Sequence, residues 1–371
     1  MSEYLYYEFQ TIDRPLSERE QREVDALSSH IDVTPRRAVV TYNYSDFKHD
    51  PKKVLVKYFD AMLYTADWGT RRLMFRFPKA LVSLEDMAPF YLDEGVDMET
   101  IGDHVVLDIC YEEESGYEDE ALTLSPFLRL REDILHGDYR TLYLGWLQAA
   151  TRDAIELAEE DLEPPVPPGL GELHTALAEF RRVFGVDPHL LDAAAQASPP
   201  LHVQPIGELE QAIARLPRSF CDNLLARLLH GEAHLDLALR RELAVFVPRM
   251  AVSMPPRRTL GQLLHEANRL RDAAKRRQAR EAERKRILKL QDLAQNEERI
   301  WQEVEDLLQG YSAKAYDEAS QHLVQLDELA TFQGAQEAFR RRVASLCQRY
   351  ARRSSFIQRL RKLKLYYEGK V

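Results

Sequence analysis

Cysteine is scarce in this chain, and long apolar runs are missing. The 371 residues include three cysteines, Cys110, Cys221 and Cys347, which are far apart and form no Cys-x-x-Cys pair. Such an odd, scattered set cannot build a disulfide framework and is typical of a reducing compartment. No stretch approaches the roughly 20 apolar residues of a membrane-spanning helix, and the N-terminus has neither the basic segment nor the apolar run of a signal peptide. We therefore expect a cytoplasmic protein with no membrane partner.

The chain also lacks the short motifs of common catalytic and cofactor sites. It contains no Gly-x-Ser-x-Gly elbow, no Walker loop, no Gly-x-Gly-x-x-Gly fingerprint and no Cys/His dyad spacing. We predict no catalytic residue and no cofactor, and we expect a protein that is not an enzyme. A less favoured alternative is an enzyme whose site forms only from residues that meet in space.

Two patterns could hold a metal ion, but both favour a structural interpretation. His230-Gly-Glu-Ala-His234 has the four-residue histidine spacing of zinc-protease helices. Glu232 would lie about 200° round such a helix from either histidine, and Gly231 is typical of a helix end, so we predict a junction between two helices. Residues 112–120 carry six carboxylates without EF-hand spacing, which favours a solvated loop. We predict no metal ligand.

Residue patterns predict an α+β fold in which the strands come first. The strand signals lie at residues 5–9, 38–42, 59–64, 70–77 and 104–111. Asp67-Trp68-Gly69 is a hairpin turn between the third and fourth of these. Ser17 with Glu20 forms a capping box, and Asp50-Pro51 is a helix start.

Three domains are predicted. Residues 1–123 form a small mixed α/β domain, and residues 124–255 form a helical domain with a linker at 163–171, where four prolines prevent a helix. Residues 256–371 show apolar residues at three- and four-residue spacing, which predicts long charged antiparallel helices in a bundle or coiled-coil arm.

Charge is laid out in blocks over this last third. Residues 257–289 carry a net +8, residues 290–339 a net −9 and residues 340–371 a net +10, whereas the whole chain carries −11. The densest basic stretch, from Lys275 to Arg286, offers only alanines as apolar residues and cannot bury a face. Its cations are the candidate binding residues for nucleic acid or an acidic partner: Lys275, Arg276, Arg277, Arg280, Arg284, Lys285 and Arg286.

Two explanations of the basic blocks are open. Neutralisation by the acidic block between them is the favoured one, because charge blocks on helices are more often solvated faces than binding sites. Binding to nucleic-acid phosphates, through Lys275–Arg286 and a helix over Arg340–Lys364, is the alternative. The tyrosine-rich first 64 residues could form an open base-stacking sheet as in RRM domains, but a tyrosine face covered by another domain or subunit is favoured.

Four strings near the N-terminus carry a resemblance. Over about its first 170 residues, the chain resembles a broad family of uncharacterised bacterial proteins. The resemblance lies in Tyr6–Gln10 (YYEFQ), Asp13–Leu16 (DRPL), Tyr42–Phe47 (YNYSDF) and Ala66–Arg76 (ADWGTRRLMFR). The resemblance implies a bacterial, cytoplasmic protein and carries over no activity, cofactor, partner or functional residue.

These observations together predict a non-enzymatic interaction or scaffold protein. Its charged C-terminal arm would engage a partner protein or a second copy of the chain. The alternative is a nucleic-acid-associated protein that binds phosphates through its basic helices.

Overall fold

The computed structural model describes residues 4–43, 46–112, 122–152, 157–201, 206–243, 246 and 256–367. It confirms the predicted α+β class, with 55% of the chain in helices and 15% in strands. The chain forms two compact units, Met1–Arg271 and Asp272–Val371. The three domains with boundaries after residues 123 and 255 stay a prediction; the sheet and the helices that follow it share one apolar core within the first unit.

A seven-stranded antiparallel sheet forms the centre of the first unit. Its strands are β1 (Tyr4–Gln10), β2 (Ile31–Val33), β3 (Arg37–Asn43), β4 (Ala61–Ala66), β5 (Arg71–Pro78), β6 (Val96–Ile101) and β7 (His104–Tyr111). They lie in the order β2-β3-β1-β4-β5-β7-β6. The predicted hairpin joins β4 to β5, and Gly69 adopts the positive φ of 103° that its turn requires. The predicted strands are thus present, and two further strands lie beside them at the sheet's edges.

One face of the sheet is covered by helices α1 (Glu18–Asp25) and α2 (Pro51–Tyr58). Both helices begin where their caps predict: Ser17 and Glu20 form a reciprocal capping box, and the Asp50 side chain accepts from the backbone N–H of Lys52. Side chains of alternate positions on β1, β3 and β4 pack beneath these helices, among them Phe9 and Val40, which are fully buried. Local cap chemistry therefore sets where each helix begins, and the two-residue period of the strands sets what it covers.

Helices cover the opposite face. They are α3 (Leu84–Met87), α4 (Leu128–Leu135), α5 (Arg140–Ala149), α6 (Thr175–Val183), α7 (Pro188–Ala195) and the first turns of α11 (Leu260–Gln295). Helix α5 is buried along its whole length. A Cβ atom at Gly145 would lie 3.0 Å from Val96 Cγ2, so glycine lets α5 approach the sheet closely. The proline-rich segment 163–171 contains no helix, as predicted, and Leu170 anchors it in this core.

A smaller group of helices completes the first unit. It contains α8 (Ile206–Ile213), α9 (Arg218–Leu229) and α10 (Leu235–Leu243), which share a small apolar cluster. His230 follows α9, Gly231 has a φ of +72°, and His234 has a φ of +59° just before α10. The predicted junction between two helices is present, and these histidines do not share a helix face.

The second unit consists of helices around a core of its own. The C-terminal turns of α11 are joined there by α12 (Glu297–Gln309), α13 (Ala313–Gln333), α14 (Gln336–Arg349) and α15 (Ser354–Lys362). Trp301, Val304 and Leu323 lie at the centre of this core. The single helix predicted over Arg340–Lys364 is wrong, because residues 350–353 separate α14 from α15. Among the described residues, no helix combines the length and apolar character needed to cross a bilayer.

Candidate functional site

The basic segment of α11, residues 275–286, lies on the surface along its whole length. Each of its twelve residues is exposed, as expected for a helical stretch that has only alanines to bury. The segment rises about 18 Å along the helix axis at 1.5 Å per residue. The seven predicted binding residues are therefore brought together on one continuous helix.

Acidic side chains of the second unit leave most of this segment uncovered. Arg286 pairs with Glu328 of α13 at 2.8 Å and lies 3.7 Å from Glu283 of its own helix. Among the described residues of this unit, no carboxylate lies within 4.0 Å of the other six cations. Within this stretch, the described acidic side chains of the second unit pair directly only with Arg286, and neutralisation of the other cations by the acidic block stays a prediction.

The acidic block pairs with part of the C-terminal basic block. Three pairs join the two blocks: Arg342 with Glu298 at 2.7 Å, Arg349 with Glu305 at 3.3 Å, and Arg359 with Asp317 at 2.5 Å. These contacts join α14 to α12 and α15 to α13, so part of the C-terminal basic block is engaged within its own unit.

Arg353 shows that part of the C-terminal block is structural. Its Nη1 donates to the carbonyls of Leu308 and Gly310 at the end of α12. Its guanidinium also lies 4.2 Å from the ring centroid of Tyr311 and 4.9 Å from that of Tyr350. A cation so held satisfies exposed helix-end carbonyls and is a poor phosphate contact.

Four arginines of the basic segment form a single stripe. At 100° per residue, Arg276, Arg277, Arg280 and Arg284 lie within an arc of about 100°, over a rise of about 12 Å. The two acids of the segment, Glu281 and Glu283, flank this arc. The arginine stripe, defined as these four residues, is thus a compact row of guanidinium groups with no carboxylate of the described second unit within 4.0 Å.

Part of the tyrosine set near the N-terminus is buried, whereas Tyr4 of β1 is 44% exposed. Tyr7 of β1, Tyr42 of β3 and Tyr58 at the end of α2 are buried in the core between the sheet and its two helices, and the Tyr7 hydroxyl donates to Asp46 Oδ1 at 2.7 Å. Burial raises the pKa of Tyr64 to about 12. Arg72 is held by both oxygens of Asp108. These residues form no open base-stacking platform, and the cover comes from helices of the same unit.

A buried charge network ties the N-terminal strands to α4 and α10. Arg131, which has no exposed surface, donates to both oxygens of Asp13 at 2.9 Å, and Arg76 pairs with Asp60. The His234 ring lies 3.0 Å from Asp13 Oδ1, and this bond raises the pKa of His234. Burial acts to raise the pKa of Asp13, but His234 and Arg131 outweigh it and hold that pKa well below its usual value.

Two clusters near the turn between α4 and α5 have the residue types of metal ligands. In each, one possible ligand atom from every residue lies within 4.8 Å of the others. The exposed cluster contains Glu132, His136 and Asp236, and the more buried one contains Asp133, Asp138 and His174. Sequence reasoning missed both, because their members are separated along the chain by up to a hundred residues and follow no motif spacing. Of the acidic run at 112–120, only Glu112 lies within the described residues.

Comparisons with protein-family models, curated proteins and solved structures find no match to this chain. The resemblance of the first 170 residues to a bacterial family therefore stays an expectation.

Proposed function

We propose that this protein is a non-enzymatic binding protein that engages the phosphates of a nucleic acid through the arginine stripe of α11. The observation that carries the proposal is that the four arginines are exposed and unpaired within their unit. Arginine is suited to this contact because its planar guanidinium binds phosphate oxygens in a bidentate manner.

The overall negative charge of the chain does not oppose this assignment. Residues 272–371 carry 21 Lys and Arg against 15 Asp and Glu, so the excess of acid belongs to the first unit. At physiological ionic strength charges farther apart than about 8 Å are largely screened. A phosphate at the stripe therefore responds mainly to the local cations.

The salt dependence of binding tests the proposal quantitatively. Four neutralised phosphates predict a slope of about −3.6 for log affinity against log salt with duplex DNA, and about −2.8 with a single strand. Affinity for duplex should then fall about 150-fold between about 50 and 200 mM salt. Fluorescence anisotropy with labelled single-stranded and duplex DNA and RNA measures these slopes and ranks the ligands.

A charge-reversal pair of variants locates the contact. Replacing the four stripe arginines by glutamate should abolish binding at every salt concentration. The matched control replaces four other exposed cations that have no described ion pair: Lys48, Lys79, Arg215 and Arg240. Both variants change the net charge equally, so the control should bind like the wild type. Equal loss in both variants, or no loss in the first, would refute the assignment.

A protein partner, or a second copy of this chain, is the second candidate. Three leucines of α9 favour it, because Leu225, Leu228 and Leu229 lie close together on the helix with 54%, 62% and 89% of their surface exposed. Light scattering across a concentration series tests self-association, which Leu228→Ser combined with Leu229→Ser should abolish. A monomer at every concentration would refute the second-copy form.

A further inference from the structure

The more buried carboxylate–histidine cluster is built from three separate segments. Asp133 lies in the last turn of α4, Asp138 lies in the turn before α5, and His174 immediately precedes α6. One ligand atom from each lies within 4.8 Å of the other two. All three residues belong to the first unit, whereas the segment assigned to nucleic acid belongs to the second.

Three polar atoms in this cluster have no hydrogen-bond partner among the described residues. They are Oδ2 of Asp133 and both ring nitrogens of His174, and all three are buried. Oδ2 and Nε2 are 2.9 Å apart, but the contact lacks the angle of a hydrogen bond. A buried polar atom without a partner costs about 1–3 kcal/mol, so a group that satisfies these atoms together would be strongly favoured.

Two ligands of one metal ion, each near 2.05 Å from it, are about 2.9 Å apart at 90° and about 3.3 Å apart at the tetrahedral angle. The 2.9 Å between Asp133 Oδ2 and His174 Nε2 is compatible with this spacing. An imidazole nitrogen with two carboxylates suits transition metals and not Mg²⁺ or Ca²⁺, which prefer oxygen ligands alone.

Arg140 holds the third ligand in place. Its Nη2 lies 2.6 Å from Asp138 Oδ2, and it also donates to the carbonyls of Gly169 and Glu172. Such contacts behind a ligand orient the carboxylate, while the positive charge lowers the affinity for a cation. The site is therefore weaker than one made of the same ligands without an arginine.

The neighbouring exposed cluster provides a contrast. In His136, Nδ1 lies 2.8 Å from the Glu132 carbonyl oxygen, and Nε2 lies 2.6 Å from Asp236 Oδ2. Both ring nitrogens already have hydrogen-bond partners, so the His136 ring has no unsatisfied nitrogen for a metal ion to bind. This cluster serves as a matched control.

We propose that Asp133, Asp138 and His174 bind one divalent transition-metal ion, with coordination positions left for water or a small ligand. Untagged full-length protein, stripped with a chelator, would be titrated with Zn²⁺ by calorimetry and with Co²⁺ by visible absorption. We expect about one ion per chain, with cobalt bands that show mixed nitrogen and oxygen ligation.

Variants decide whether the ion lies at this cluster. His174→Ala and the near-isosteric Asp133→Asn should each weaken Zn²⁺ binding by more than about 100-fold, since loss of a contact behind a ligand already costs 10–100-fold. His136→Ala and His230→Ala should bind like the wild type. Asp133→Asn changes the shape of the side chain least, so its circular dichroism spectrum should match that of the wild type and show that the variant is folded. Absence of saturable Zn²⁺ binding to the wild type, or equal loss in His136→Ala, would overturn the proposal without affecting the nucleic-acid assignment.

Discussion

Replacing Arg131 by methionine tests whether the buried charge network holds the first unit together. Methionine keeps the length of the aliphatic stem but removes the guanidinium, and with it the two bonds to Asp13 and the bond from Nε to the Arg76 carbonyl. Asp60, 3.8 Å away, also loses a cation. Asp13 would then keep only His234, while the buried Asp60 would keep Arg76 and the backbone N–H groups of Ile12 and Asp13.

The expected loss of stability is large. Removing one partner from a buried ion pair typically costs about 3–5 kcal/mol, because the remaining charge stays buried without compensation. Since His234 still donates to Asp13, we expect the lower end, about 3 kcal/mol. The control Arg129→Met, two residues away with 66% of its side chain exposed, should change stability by less than about 0.5 kcal/mol.

Urea unfolding followed by circular dichroism measures both values. The double variant Asp13→Asn with Arg131→Met separates pairing from packing, because it removes both ends of the bond. Its loss should be clearly smaller than the sum of the two single losses. A loss below about 1 kcal/mol for Arg131→Met, or additive losses in the double variant, would show that the network does not stabilise the fold.

Two further predictions concern the histidine of this network and the arginine at the end of α12. The bond to Asp13 raises the pKa of His234 above 6.5, so its stabilisation is complete below that pH and is lost as the pH rises through the higher folded value. The stability difference between wild type and His234→Asn should therefore shrink as the pH rises above 6.5; a constant difference would contradict the assignment. Arg353→Met should destabilise the second unit by about 2–3 kcal/mol, whereas the exposed Arg352→Met should have little effect in the same urea experiment.

Local signals in the sequence determined much of the secondary structure. The capping box at Ser17 and the helix start at Asp50-Pro51 depend on contacts within one helical turn, so they do not depend on the tertiary fold. Exposure of Lys275–Arg286 also followed from the sequence, because a helix without apolar side chains has nothing to bury. The class of fold and the candidate binding segment could therefore be predicted.

Other features depended on contacts that no local pattern encodes. Strand β2 has three residues and β6 is half polar, so their pairing partners and not their composition make them strands. Blocks of opposite charge along the chain did not reveal which acid would meet which base: the acidic helices form three ion pairs with α14 and α15 and none, among the described residues, with the arginine stripe. Asp133 and His174 are forty-one positions apart and meet only because α4 and α6 pack together. The sequence determined the helices, strands and exposed charge; the tertiary structure decided which charges stay available, because packing sets distances that sequence separation does not.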